Sequence, residues 1–324
     1  MQRKNTRAFV AYKLSKNGKY YIVEKTDNSK FLAGEIQIAY GQEVQIADTY
    51  RQKPVTKIGA LAFCNTWALN HVRIANGVTD IERGAFSLCE QLQTAILPDT
   101  LITIADGAFF GCRSLKKIAL PQSVKWLGEA AFVDCGFKSI IVAQNNKDYQ
   151  SLDGNLYSKD GTRLIQYATA KTQTRFVVPD GVRVIEYGAF QNAKRLKEIV
   201  LPPSITDIGA WAFNGCDNLI KIHIPNGVKK IKEKTFENCK KLTEILLPNG
   251  VIAIENGAFQ NCKSLVKIVM PNSVQSIGMH AFAFCDSLAD VDYLGTESDW
   301  ENINIQLING ALISATKRYV CNAK

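Results

Sequence analysis

The sequence predicts a repeat solenoid of α/β type dominated by β: a right-handed superhelix of 23-residue coils, with a parallel β-sheet on one face and capped ends. Three observations carry that reading. Phenylalanine returns at Phe63, Phe86, Phe109 and Phe132, then at Phe190, Phe213, Phe236, Phe259 and Phe282, always 23 residues apart except across one break. A cysteine stands three residues after most of these phenylalanines. An apolar alternation of strand type follows each cysteine position. A constant period of this length means supersecondary units that each bury a face against the next.

The clearest coil, from Phe109 to Leu127, shows what each position does. Its template is Ala-Phe-x-x-Cys-x-x-Leu-x-x-Ile-x-Leu-Pro-x-x-Val-x-x-Ile. In the stretch from Leu115 to Leu120, alternation sends Ile118 and Leu120 to one side and Lys117 and Ala119 to the other. Pro121 ends the strand because it brings no amide donor to a ladder. Val124 and Leu127 then supply a second wall. Stacking in register sets equivalent strands about 4.8 Å apart, with the phenylalanines as a spine between the walls. The recurring Gly-Ala-Phe reads as tight packing in the turn.

The break between Phe132 and Phe190 is readable too. Counting back one period from Phe190 reaches Tyr167, after which Phe176, Val178 and Pro179 fill the strand and stop positions of a degenerate coil. The surplus residues lie within about 143–166, where Leu156-Tyr157 and Leu164-Ile165-Gln166-Tyr167 flank Asp160-Gly161. Asp-Gly between apolar runs signals a β-hairpin, expected here to project from the solenoid.

Terminal coils have an open face and need caps. Residues 1–54 are assigned to an N-terminal cap with strands at Tyr20–Val23 and Glu35–Ile38, residues 55–294 to nine full repeats and one degenerate one, and residues 295–324 to a C-terminal cap. Val291-Asp292-Tyr293 reads as the last repeat strand. Thr296-Glu297-Ser298-Asp299 reads as a capping box opening a short helix, with Trp300 and Ile303 covering the core.

Chemistry-bearing residues yield no catalytic constellation. Of nine cysteines, Cys89, Cys112, Cys135, Cys216, Cys239, Cys262 and Cys285 share one repeat position, which Thr66 and Ala193 fill elsewhere; Cys64 and Cys321 lie outside it. A small buried residue explains that position, and no Cys-x-x-Cys pair points to zinc. The three histidines, His71, His223 and His280, occupy different coils or walls. Asp290 and Asp292 form the one carboxylate pair, read as a solvated edge. No enzyme, cofactor or metal is therefore expected. No apolar run approaches the ~20 residues of a membrane span.

The repeat resembles the BspA-type leucine-rich repeats, and its period falls in the leucine-rich-repeat range. Two further segments carry the likeness: Asp153-Gly154-Asn155-Leu156-Tyr157-Ser158-Lys159-Asp160-Gly161 and Tyr293-Leu294-Gly295-Thr296-Glu297-Ser298-Asp299-Trp300. The resemblance implies a surface or secreted protein, bacterial or occasionally protozoan, that adheres to host or neighbouring-cell proteins without catalytic residues. Such proteins usually open with a signal peptide, whereas this chain begins Met1-Gln2-Arg3-Lys4-Asn5-Thr6-Arg7 with no apolar region following.

The outward face of the sheet is the candidate binding surface. One row reads Arg73, Ile96, Ala119, Ile141, Val177, Val200, His223, Leu246, Val269, Asp292, and its neighbour His71, Thr94, Lys117, Ser139, Arg175, Glu198, Lys221, Glu244, Lys267, Asp290. An apolar stripe beside a mixed-charge stripe suggests a protein-binding groove with a polar rim. The residues assigned to it are Ile96, Ile141, Val177, Val200, His223, Leu246 and Val269, with Glu198, Lys221 and Lys267 on the rim. The expected partner is a protein, and the chain itself is expected to be a monomer. A competing reading starts from the net charge of +9, of which Arg3, Lys4, Arg7, Lys13, Lys16, Lys19, Lys25 and Lys30, against Glu24 and Asp27, place +6 in the first 30 residues. That basic region would bind anionic polymers, nucleic acid or wall glycan.

Overall fold

The computed structural model describes residues 8–24, 36–38 and 43–320, and it divides into two compact units, Met1–Asp160 and Gly161–Lys324. In the first unit, the strands Glu43–Ile46, His71–Ile74 and Thr94–Ile96 pair in parallel, as do Lys117–Leu120 and Ser139–Val142. The second wall is a parallel series of Tyr21–Glu24, Lys53–Ile58, Asp80–Ile81, Thr103–Ile104 and Trp126–Leu127. Ala8–Leu14 closes its start, pairing antiparallel with Tyr21–Glu24 and with Ile36–Ile38.

Between the walls of this unit Phe63, Phe86, Phe109 and Phe132 stack face to face, with ring centroids 5.0, 5.1 and 5.8 Å apart. Residues 23 apart meet in the ladders because each coil repeats the same turn chemistry. One coil is a residue shorter, so that Lys117 pairs with Ser139. Gly136 permits the shortcut: a Cβ there would meet the Arg113 carbonyl oxygen at 2.0 Å. Phe137 is buried and packs edge-on to Phe132 at 5.8 Å.

The second unit repeats the plan. One wall holds Arg175–Val177, Glu198–Val200 and Lys221–Ile222 in parallel, followed by Glu244–Leu246, Lys267–Pro271, Asp290–Leu294 and Thr316–Tyr319. The other holds Arg163–Gln166, Val184–Ile185 and Asp207–Ile208, then Lys230–Ile231, Ala253–Ile254, Ser276–Ile277 and Asn304–Ile305. Tyr167 starts the aromatic column, stacked on Phe190 at 5.1 Å, and the column continues through Phe282 at spacings of 5.2 to 5.3 Å.

The cysteine position has a function beyond small size. Each of the seven thiols is buried, and none of them forms a disulfide. Those of the first unit donate to the carbonyl of the preceding coil's phenylalanine: Cys89 to Phe63 at 3.0 Å, Cys112 to Phe86 at 3.2 Å and Cys135 to Phe109 at 3.0 Å. In the second unit Cys216, Cys239, Cys262 and Cys285 serve Phe190, Phe213, Phe236 and Phe259 in the same way. Cys64 is half-buried, and Cys321 lies outside the described residues.

Four details differ from the sequence reading. The sheet does not end at Asp290–Leu294, because Thr316–Tyr319 adds a parallel strand to it. An antiparallel pair of Tyr149–Leu152 with Asn155–Ser158 turns at Asp153-Gly154, which the sequence reading did not draw. That pair does not project: Leu156 and Tyr157 are buried, Ile140 N donates to Gly154 O at 2.8 Å, and Asn146 donates to the carbonyls of Pro121 and Val124, each at 2.9 Å. The glycine of Gly-Ala-Phe serves a left-handed corner as well as close packing, since Gly84 has φ 61° and Trp211, at the same place in its coil, has φ 60°.

At the end of the second unit Thr296 caps the helix Glu297–Glu301, with a reciprocal capping box to Asp299. Trp300 meets Tyr293 edge-on at 5.4 Å, and Ile303 is buried. Helix is confined, among the described residues, to this segment and Gly310–Ser314.

Candidate functional site

Strand alternation separates the two faces cleanly. In the second unit Phe176, Ile199, Ile222, Ile245, Ile268 and Val291 point into the core and are buried. Their outward neighbours Val177 and Leu246 are 48% and 46% exposed; His223 is also exposed, while Val200 and Val269 are half-buried. In the first unit Ile96 and Ile141 are 43% and 50% exposed, in register with Arg73 and Ala119 respectively. Each unit therefore carries its own part of the apolar row.

The rim of the second unit is tied together across strands. Arg175 Nε donates to Glu198 Oε2 at 3.0 Å, and Lys267 Nζ lies 3.9 Å from Glu244 Oε1 and 2.7 Å from Asp292 Oδ2. Asp290 and Asp292 are not a solvated edge, because the added strand brings Arg318 to 2.6 Å from Asp290 Oδ1 and 3.6 Å from Asp292 Oδ1. The hydrogen bond to Asp292 holds the Lys267 ammonium above its ordinary value. Exposed pairs like these contribute little stability, but they fix side chains beside the apolar row. In the first unit Arg73 meets Glu43 at 3.2 Å, and His71 Nδ1 is 2.8 Å from Thr94 Oγ1.

Sequence reasoning missed Arg318, which stands outside the 23-residue register: Asp290 pairs with Thr316, 26 positions on. The basic N-terminal reading meets one tie, Lys13 Nζ to Glu24 Oε1 at 3.0 Å. Arg3, Lys4, Arg7, Lys25 and Lys30 lie outside the described residues. Among the described residues no group of three or more His, Cys, Asp or Glu could hold a metal ion, and no helix is long and apolar enough to cross a membrane.

The repeat geometry can be set against known proteins. The family model described as BspA type leucine rich repeat region, in 6 copies, matches residues 39–155 and 166–289. The chain belongs to the BspA-type leucine-rich repeat family. This family is generally non-catalytic, and its fold suits a protein-interaction module. No curated protein matches the chain. Among solved structures, this BspA-type chain is similar to a leucine-rich cell surface protein of Faecalibacterium prausnitzii, at 24% identity over 94% of this chain and 97% of that one, with a TM-score of 0.66. It is similar to the pneumococcal vaccine antigen PcpA, at 19% identity, 99% and 96% coverage and a TM-score of 0.66. A leucine-rich repeat protein of Eubacterium ventriosum follows at 20% identity, 89% and 90% coverage and a TM-score of 0.59. At these identities the likeness is one of fold.

Proposed function

We propose that the outward face of the parallel sheet binds a protein, and that the chain works as a cell-surface adhesion or partner-recognition module. The carrying observation is that each unit exposes aliphatic side chains on the outward side of its parallel strands, Val177 and Leu246 in the second and Ile96 and Ile141 in the first, while the inward positions already fill the core. Water-facing aliphatics aligned in a row beside ordered charges have the anatomy of an interface. Glu198, Lys221 and Lys267 form the rim that sets orientation and association rate. The F. prausnitzii protein of the same fold is a cell surface protein, which supports the cell-surface part of this reading.

The test is photo-crosslinking against a cell-surface protein extract. A crosslinking residue at Leu246 should give discrete protein adducts, whereas one at Ile252, which is 39% exposed beside the other wall, should not. Equal adducts at both positions, or none at Leu246, would overturn the assignment.

A further inference from the structure

We propose that the loops entering the sheet of the second unit form a cationic flank that selects an acidic polypeptide bearing aliphatic side chains. The inference rests on the sheet face being the protein-binding surface and adds the chemistry of its partner.

The segments 194–198, 217–221, 240–244 and 263–267 occupy the same place in successive coils, each running from the phenylalanine corner into the first residue of the sheet strand. Asn218 Nδ2 donates to Lys194 O at 2.7 Å and Ser264 N to Lys240 O at 3.2 Å, which ties neighbouring loops together. Lys194, Arg195, Lys197, Lys221, Lys241 and Lys263 are all exposed on these loops. The carboxylates of the same loops are already held: Asp217 by Lys240 at 3.2 Å, Glu198 by Arg175 at 3.0 Å, and Glu244 by Lys267 at 3.9 Å. Among the described residues, none of the six exposed cations is paired with a carboxylate. Their charge is left uncompensated along one edge, and such a field draws in an oppositely charged partner.

Aliphatic exposure decides which polyanion fits. Ile220 and Val266 stand among the cations at 44% and 45% exposure, and Val177 and Leu246 lie on the adjoining strands. A glycan or nucleic acid would satisfy the charges and leave these side chains against a polar chain. A polypeptide with interspersed carboxylates and aliphatic groups satisfies both at once.

The test uses the full chain and three labelled probes: a peptide alternating glutamate with aliphatic residues, the same peptide with glutamine for glutamate, and heparin. Binding is read by fluorescence anisotropy at low ionic strength and at ~0.15 M salt. The acidic peptide should bind best and weaken with salt. The triple change Lys194→Gln, Lys241→Gln, Lys263→Gln should weaken it by about tenfold or more, with an unchanged melting curve. The double change Val177→Ser, Leu246→Ser should weaken it as well. Equal binding of the glutamine peptide, unaffected by the triple change, would overturn the flank and leave the sheet face standing. Heparin binding tighter than the acidic peptide and indifferent to the double change would replace the proposal with a polyanion site. Failure of the acidic peptide to bind the unaltered chain would also overturn it, while the crosslinking at Leu246 judges the sheet face separately.

Discussion

Gln166 donates from Nε2 to the Tyr167 carbonyl at 3.1 Å, and so serves the acceptor that a thiol at Ala193 would otherwise serve. In the next coil Cys216 donates to Phe190 O at 3.3 Å, one period further along the same column. Gln166 is buried and bonds Ala189 O as well, also at 3.1 Å. The repeat therefore preserves a hydrogen bond, through whichever side chain can reach.

Replacing Gln166 with Leu should destabilise the chain by about 1–3 kcal/mol, the cost of a buried carbonyl left without its donor. Ala193→Cys added to that variant should recover part of the loss by restoring the thiol found in the other coils. Urea unfolding monitored by circular dichroism checks both. An unchanged midpoint for Gln166→Leu would show that the donor contributes nothing.

The thiols predict a pH dependence of a definite sign. Burial pushes those of Cys216 and Cys285 up to about 12 from an ordinary value of 9.0, and raises Cys89, Cys112, Cys239 and Cys262 in the same way. The folded state thus holds protons that the unfolded state releases first. This contribution to stability is fully present below pH 9 and is lost as pH rises toward about 12. Thiol titration near neutral pH should count few reactive groups in the native protein and close to nine after non-reducing denaturation. A count near zero after denaturation would mean disulfides.

At the last coil of the second unit Asn309 replaces what a further coil would supply. Its Oδ1 accepts from Phe282 N at 3.0 Å, and its Nδ2 donates to Gly278 O at 3.0 Å and Gln306 O at 2.8 Å. Asn309→Leu should therefore cost several kcal/mol, at about 1–3 for each buried group left unpaired. Asn302→Ala removes only an exposed bond to Ser298 O and should move stability by no more than ~0.5 kcal/mol. Thermal melts of the two variants distinguish them; equal losses would contradict the plugging role.

The repeated part of this fold was legible because its residues recur: Phe at the stack, Cys at a small buried position, and aliphatic residues inward on each strand; the thiol's bond to a carbonyl was not, because small size alone accounted for that position. The polar plugs Asn146, Gln166 and Asn309 were not, since each occurs once and is defined by a partner distant in sequence. The strand Thr316–Tyr319 escaped for a related reason, its register having slipped from 23 to 26 residues. For the candidate site, alternation identified which side chains face outward. It could not rank them, because exposure depends on the height of neighbours: Val177 is 48% exposed, while Val200, in register beside it, is half-buried.

That ranking shapes the last prediction, which separates core from surface on the same strands. Ile199 and Leu201 are 1% and 6% exposed, so replacing either with Ala should cost about 2–5 kcal/mol through lost burial and the cavity left behind. Val177 and Leu246 face water, and the double change Val177→Asp, Leu246→Lys should shift stability by no more than about 0.5 kcal/mol per site. Val200→Asp is a poorer probe because its half-buried position mixes lost packing with lost contact. Equilibrium unfolding measures the first pair, and the crosslinking assay, with the crosslinker at His223 in the double variant, measures the second. The expected result is two variants that lose stability and one that keeps its melting curve but no longer gives partner adducts. Collapse of the Val177→Asp, Leu246→Lys protein would show that these side chains support the core, and undiminished adducts would show that the aliphatic row is not the binding surface.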